Sequence, residues 1–100
     1  MRLLIVLLAA AAPLAVQAQN VEALYVRSLA ANCAHCHGTD GRAAPGSTMP
    51  ALAGMPRDYL ATQLKAFKAG SRQSTIMTQL AKGYSDAQLE QLAAFFAAQK

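Results

Sequence analysis

Apolar and polar positions in this chain recur at helical spacing, and no stretch alternates convincingly with the period of two that marks a strand. The clearest helix is the last. Ser85 with Gln88 forms a capping box, and Tyr84 with Leu89 suits a hydrophobic staple. Leu89, Leu92, Ala93 and Phe96 then line one face, and Lys100 suits the negative end. A second helix is expected from about Pro56 to Ala69. Pro56 suits its first turn, Asp58 its positive end and Gly70 its stop. Leu60, Leu64 and Phe67 make its inward stripe, with Arg57, Lys65 and Lys68 outward on a solvated face. Val21 to Ala31 reads as the first helix of the domain, capped by Asn20, with Glu22 in the first turn. Its Val21, Leu24 or Tyr25, Ser28 and Ala31 put small residues on one face, which the last helix is expected to cross. A short helix follows Met77 and ends at Gly83.

Two stretches break this pattern. Gly38 to Gly54 is rich in Gly, Pro, Ser and Thr, and so long a connection in a compact domain calls for a functional reason. At the other extreme, Leu3 to Ala12 is unbroken apolar sequence after Arg2, ended by Pro13 and followed by Val16-Gln17-Ala18. This is the pattern of a secretory signal peptide, residues 1–18, and it is shorter than the ~20 residues of a spanning helix. The expected remainder, residues 19–100, is enough for one small domain, a size at which a hydrophobic core is often marginal without help. Composition adds little. The 54% apolar content is inflated by the leader, and nine Lys and Arg against five Asp and Glu leave too small an excess to suggest nucleic-acid binding.

The chemistry is concentrated in Cys33-Ala34-His35-Cys36-His37. Cys-x-x-Cys-His is the attachment signature of c-type haem. Two thiols at this spacing can reach the two vinyl groups on one porphyrin edge, and the adjoining His37 can then present an imidazole nitrogen to iron. His35, between the cysteines, reads as a surface side chain. A thioredoxin-like Cys-x-x-Cys would need a βαβ context that is missing, and a four-ligand zinc site would need more than the two Cys and two His the chain has. Export supports the haem reading, because the motif and the leader then belong to one compartment. Both cysteines are consumed by thioethers, so no disulfide is expected.

Haem iron held by His37 on one face takes a second ligand on the other, and a Met thioether is a soft donor that raises the reduction potential. Outside the leader the methionines are Met49, Met55 and Met77. Met77 is best placed, after the central helix and before the last, where the chain must return across the second haem face. Met55 precedes Pro56 at a helix start and Met49 precedes Pro50 in the long loop, positions that suit packing.

From Val21 to Gln99 the chain resembles a class I c-type cytochrome. The resemblance is carried by Cys33-Ala-His-Cys36-His37-Gly38, Pro50-Ala-Leu52-Ala-Gly54, the Tyr59-Leu60 helix, Met77 and the closing Ser85-Asp86 helix with Phe95-Phe96. It implies a small all-α class I cytochrome c fold around one covalent haem c. His37 and Met77 would be the axial ligands, Pro50 would supply the carbonyl that orients the histidine, and Leu52 would pack on the haem. Pro45 is a rival for the Pro50 role. Ser74-Thr-Ile-Met77 with Ala81-Lys-Gly-Tyr-Ser85 is similar to the cytochrome subunit of flavocytochrome c sulfide dehydrogenase, a family that pairs its haem subunit with an FAD-bearing subunit. Relatives there also occur with two fused haem domains, whereas this chain carries one motif. The expectation is periplasmic one-electron transfer without catalysis of its own, as a partner of an FAD flavoprotein. A free diffusible carrier is the alternative, and a haem enzyme or ligand sensor with an open axial position is a third reading.

Overall fold

The computed structural model describes the backbone from Arg2 and the side chains from Gln17 onward. The chain forms α1 (Arg2–Ala31), α2 (Ala34–His37), a 3₁₀ turn (Thr39–Gly41), α3 (Arg57–Ala69), α4 (Met77–Lys82) and α5 (Asp86–Ala97). No strand occurs among the described residues. The expected signal peptide, residues 1–18, falls largely on residues whose side chains lie outside the description. Among the described residues, no helix is long and apolar enough to cross a membrane.

α1 begins earlier than the Val21 start expected from the sequence. The Ala- and Leu-rich run is made of strong helix formers, and nothing from Gln17 to Asn20 stops the helix. Asn20 therefore lies inside α1 and caps nothing. The buried side of α1 also differs from the expected one. Ala30 is buried and Val26 and Leu29 are half-buried, whereas Val21 and Leu24 are 67% and 68% exposed. α1 does pack against α5, with Ala30 in the shared core cluster and Leu29 on its edge. Two polar contacts tie the same helices together, and a third joins residues just beyond their ends. Gln88 Nε2 donates to Tyr25 Oη at 2.8 Å, Gln91 Nε2 to Glu22 Oε1 at 2.8 Å and Asn32 Nδ2 to Tyr84 Oη at 3.3 Å.

The core sits where α1, α3 and α5 meet. Ala30, Leu60, Ala61, Leu89, Leu92, Ala93 and Phe96 form one buried cluster, with Leu29, Leu52, Met55, Leu64 and Tyr84 packed on its edge. The α5 stripe is thus buried as its spacing indicates, and Phe95 meets Phe96 edge-on with ring centroids 5.2 Å apart. The capping box is present: Gln88 N donates to Ser85 Oγ at 3.1 Å and Ser85 N to Gln88 Oε1 at 2.9 Å. α5 ends at Ala97, so Lys100 lies beyond its last turn.

On α3 two expectations change. Phe67 is half-buried and outside the core cluster, because Arg72 covers it: the guanidinium carbon lies 4.5 Å from the ring centroid and Nη1 donates to Gln63 at 2.7 Å. Lys65, Lys68 and Arg57 are not a free basic face either. Lys68 pairs with Asp86 at 2.7 Å, Lys65 donates to Glu90, and Arg57 lies 3.8 Å from Glu90, so the basic side of α3 is stitched to the acidic side of α5. Hydrogen bonding to Lys68 holds the Asp86 carboxyl below its ordinary range, and Lys65 does the same to Glu90, whose carboxylate in return raises Lys65.

Candidate haem site

The Cys-x-x-Cys-His residues lie on a helical turn that periodicity does not reveal, since four residues are too few to show a repeat. Cys33 N donates to Ala30 O at 3.0 Å, so the motif continues from the C-terminal end of α1. His37 N donates to Cys33 O at 2.9 Å and Gly38 N to Ala34 O at 3.1 Å, closing α2. This turn brings Cys33 and Cys36 onto neighbouring positions of one helical surface, with His37 following directly. The two thiols are not bonded to one another; Cys33 is half-buried and Cys36 exposed. Burial pushes the Cys33 thiol up. His35 is exposed. Among the described residues, no group of three or more His, Cys, Asp and Glu gathers as a metal cluster.

His37 is the one buried polar residue of the described chain, at 8% exposure. Its Nδ1 lies 2.7 Å from the Pro50 carbonyl oxygen. A carbonyl only accepts, so Nδ1 carries the proton and donates, and Nε2 is the ring nitrogen left outside this bond. The Pro50 carbonyl thus sets the orientation of the His37 ring; Pro45, like Pro50, is exposed.

The loop that carries Pro50 is pinned on both sides of the core. Gly41 O accepts from Leu52 N at 2.8 Å and from Ala53 N at 3.1 Å, and Gly54 N donates to Phe96 O at 2.9 Å. Leu52 is half-buried against the core cluster, as is Met55. Met49 is 45% exposed. Met77 is half-buried at the first residue of α4 and stands outside the core cluster. Its turn is shaped by Ser74, whose Oγ accepts from Thr78 N at 2.9 Å and lies 3.0 Å from Thr78 Oγ1. The Ser-x-x-x-Thr spacing ahead of a helix is the sequence signal for this contact.

These residues fit a c-type haem on the structure's own terms. An imidazole oriented through Nδ1 follows directly on two unpaired thiols. Met49, Tyr59, Ile76 and Leu80 are large apolar side chains left 45–56% exposed, available to an apolar cofactor.

Comparison with known proteins agrees. The family model described as cytochrome c matches residues 26–100. The chain belongs to the cytochrome c family. It carries a covalently attached c-type haem at its Cys-x-x-Cys-His motif. Among curated relatives, the "Thiosulfate dehydrogenase electron acceptor" of Thiomonas intermedia is 43% identical over 67 residues, covering 67% of this chain and 31% of the relative. The "Cytochrome subunit of sulfide dehydrogenase" of Chlorobaculum tepidum is 43% identical over 68 residues, covering 68% of this chain and 60% of the relative. Among solved structures, cytochrome c4 of Acidithiobacillus ferrooxidans superposes with a TM-score of 0.61 at 39% identity, over 66% of this chain and 37% of that one. The match thus spans roughly a third to three fifths of the length of these relatives.

Proposed function

We propose that this chain is a periplasmic one-electron carrier in which Cys33 and Cys36 hold one haem c by thioether bonds and His37 and Met77 are its axial ligands. The observation that carries this reading is the His37 Nδ1 to Pro50 O hydrogen bond of 2.7 Å, which fixes the tautomer and leaves Nε2 for iron. When bound, the haem supplies a ferric/ferrous couple. The protein's residues do the rest. Both thiols anchor the porphyrin edge, His37 keeps one face oriented, and the Met77 thioether favours ferrous iron. Leu52 and the apolar side chains of Tyr59, Ile76 and Leu80 exclude water from the ring. With both axial positions filled there is no open site for a substrate, so catalysis belongs to a partner.

The partner we propose is an FAD-containing sulfide dehydrogenase subunit. Support comes from the Chlorobaculum relative and from the Ser74–Met77 and Ala81–Ser85 stretches. A cleaved leader at residues 1–18 would deliver residues 19–100 to the periplasm, where such a partner works. A second reading is a free diffusible carrier, in keeping with a relative named as an electron acceptor rather than as a subunit. Mixing the mature holoprotein with the flavoprotein and sulfide tests the first: rapid haem reduction without a mediator, within a stable complex, is the expected result. Efficient reduction by unrelated donors with no such complex would favour the free carrier. Carbon monoxide binding to the reduced parent protein would overturn the filled sixth position.

A further inference from the structure

The turn just after the motif holds an unusual backbone. Asp40 adopts φ 55, ψ 25, and Gly41 follows at φ 76, so two successive residues lie in the left-handed region. Asp tolerates this conformation better than Ala does, because its short polar side chain bonds locally. Gly41 has no alternative: a β-carbon there would stand 2.8 Å from Phe96 Cδ1 and 2.9 Å from both Ala53 N and Leu52 Cβ. The result is that the Gly41 carbonyl receives the Leu52 and Ala53 N–H groups, while Gly41 N donates to Gly38 O at 3.0 Å. Gly38 adjoins His37, and Pro50 lies two residues before Leu52. Ligand, turn, loop and the carbonyl that His37 uses therefore close into one ring of backbone connections. Asp40 holds the turn from outside the ring. Its carboxylate lies 3.3 Å from Arg42 Nη1 and 3.9 Å from Arg27 Nη2, with its side chain 21% exposed. Arg42 in turn donates from Nε to the Lys100 main-chain oxygen at 2.7 Å.

We propose that Asp40 is a positioning residue for the iron ligand. By holding the left-handed turn, it fixes the Gly41 carbonyl on the Leu52-Ala53 segment, and this sets how tightly the Pro50 carbonyl grips His37 Nδ1–H. The proposal rests on His37 being an axial ligand. A donated Nδ1–H makes the imidazole a more basic ligand, which favours ferric iron. Loosening the turn therefore shifts the reduction potential upward and speeds solvent exchange of the Nδ1 proton.

Asp40→Ala and Asp40→Asn remove the same charge, but Asn keeps the tolerance for the left-handed conformation. Their comparison separates turn geometry from electrostatics. In the ferric holoproteins, NMR reads the exchange of the His37 Nδ1 proton, and a spectroscopic redox titration reads the potential. Asp40→Ala is expected to exchange faster than Asp40→Asn and to lie at higher potential, with Asp40→Asn exchanging like the parent. Equal exchange rates and equal potentials in the two variants would overturn the proposal. Should Asp40→Ala give no holoprotein, Asp40→Ser, which enters the left-handed region less readily than Asn, takes its place: faster exchange than in Asp40→Asn supports the proposal, and an equal rate overturns it. Absence of iron-shifted His37 ring signals in the parent would instead sink the ligand reading itself.

Discussion

The α1, α3 and α5 side of the molecule and the side formed by residues 38–56 and 71–84 are held together by different physics. The first closes on itself: Leu60, Leu89, Leu92, Ala93 and Phe96 are buried, a capping box starts α5, and ion pairs bridge α3 to α5. The second has few apolar contacts of its own. Only α4, which packs on α3 and buries Ala81, is held by side-chain packing; the long loop is tied by backbone hydrogen bonds to Gly41 and Phe96, and Met49, Ile76 and Leu80 stay widely exposed. Phe96 is where the two meet, since its ring lies under Gly41 and its carbonyl receives Gly54 N. The difference teaches that the packed half is a scaffold that polypeptide alone specifies. The other half is shaped for an apolar partner that the chain must attach covalently.

The strongest way to break this contrast is to remove the attachment. Cys33→Ala, Cys36→Ala together should abolish haem that survives denaturing gel electrophoresis, because the chain has no other cysteine. Cys36→Ala alone should leave at most one thioether and a poor holoprotein yield. Haem retained through the gel by the double variant would show that attachment is not at these thiols.

On the packed side, Phe96→Ala should cost about 3–5 kcal/mol, as buried Phe truncations do, a large share of the roughly 5–15 kcal/mol of a whole domain. Phe96 is 2% exposed, and its loss also removes the wall behind Gly41. The denaturation midpoint of the holoprotein measures this, and a parental midpoint would contradict the packing. Lys100→Ala should stay within about 0.5 kcal/mol of the parent, since its side chain lies past the end of α5 and the contact to Arg42 uses its main chain.

The smallest effect sharpens the comparison at the α3–α5 seam. The Asp86 and Glu90 carboxyls are held below their ordinary range by Lys68 and Lys65. Their contribution is therefore present above the unfolded carboxylate range and disappears as pH falls through the lower folded values. Glu90→Gln should lower the unfolding temperature slightly at neutral pH, and that gap should close well below about pH 4. A gap that persists in acid would show that Glu90 acts by packing.

Much of the scaffold was legible in the sequence because it obeys local rules. The Ser85–Gln88 box, the Leu89–Phe96 stripe and the Gly70 stop each need only a few neighbouring residues, and each is where its pattern put it. The face of α1 was not, since Val21 and Leu24 sit at helical spacing as well as Val26 and Ala30 do. Only the approach of α5 decides between them. Lys65 and Lys68 looked like a solvated face because their partners, Asp86 and Glu90, are brought near by tertiary packing. At the site, the motif residues and Pro50 were readable from spacing and resemblance. The left-handed Asp40 and the double acceptor at Gly41 depend on closure against Leu52 and Ala53 that a linear pattern does not encode, whereas the Ser74–Thr78 contact is local and its spacing was there to be read.

The most direct test of the central claim is the methionine methyl region of the proton spectrum of the ferrous holoprotein. A methionine on the iron holds its methyl over the haem plane, where the ring current moves that signal far upfield of other methionines. The account predicts one such signal in the parent, kept in Met49→Leu and Met55→Leu and absent in Met77→Leu. Its survival in Met77→Leu with loss in Met55→Leu would contradict the assignment and move the ligand to the start of α3.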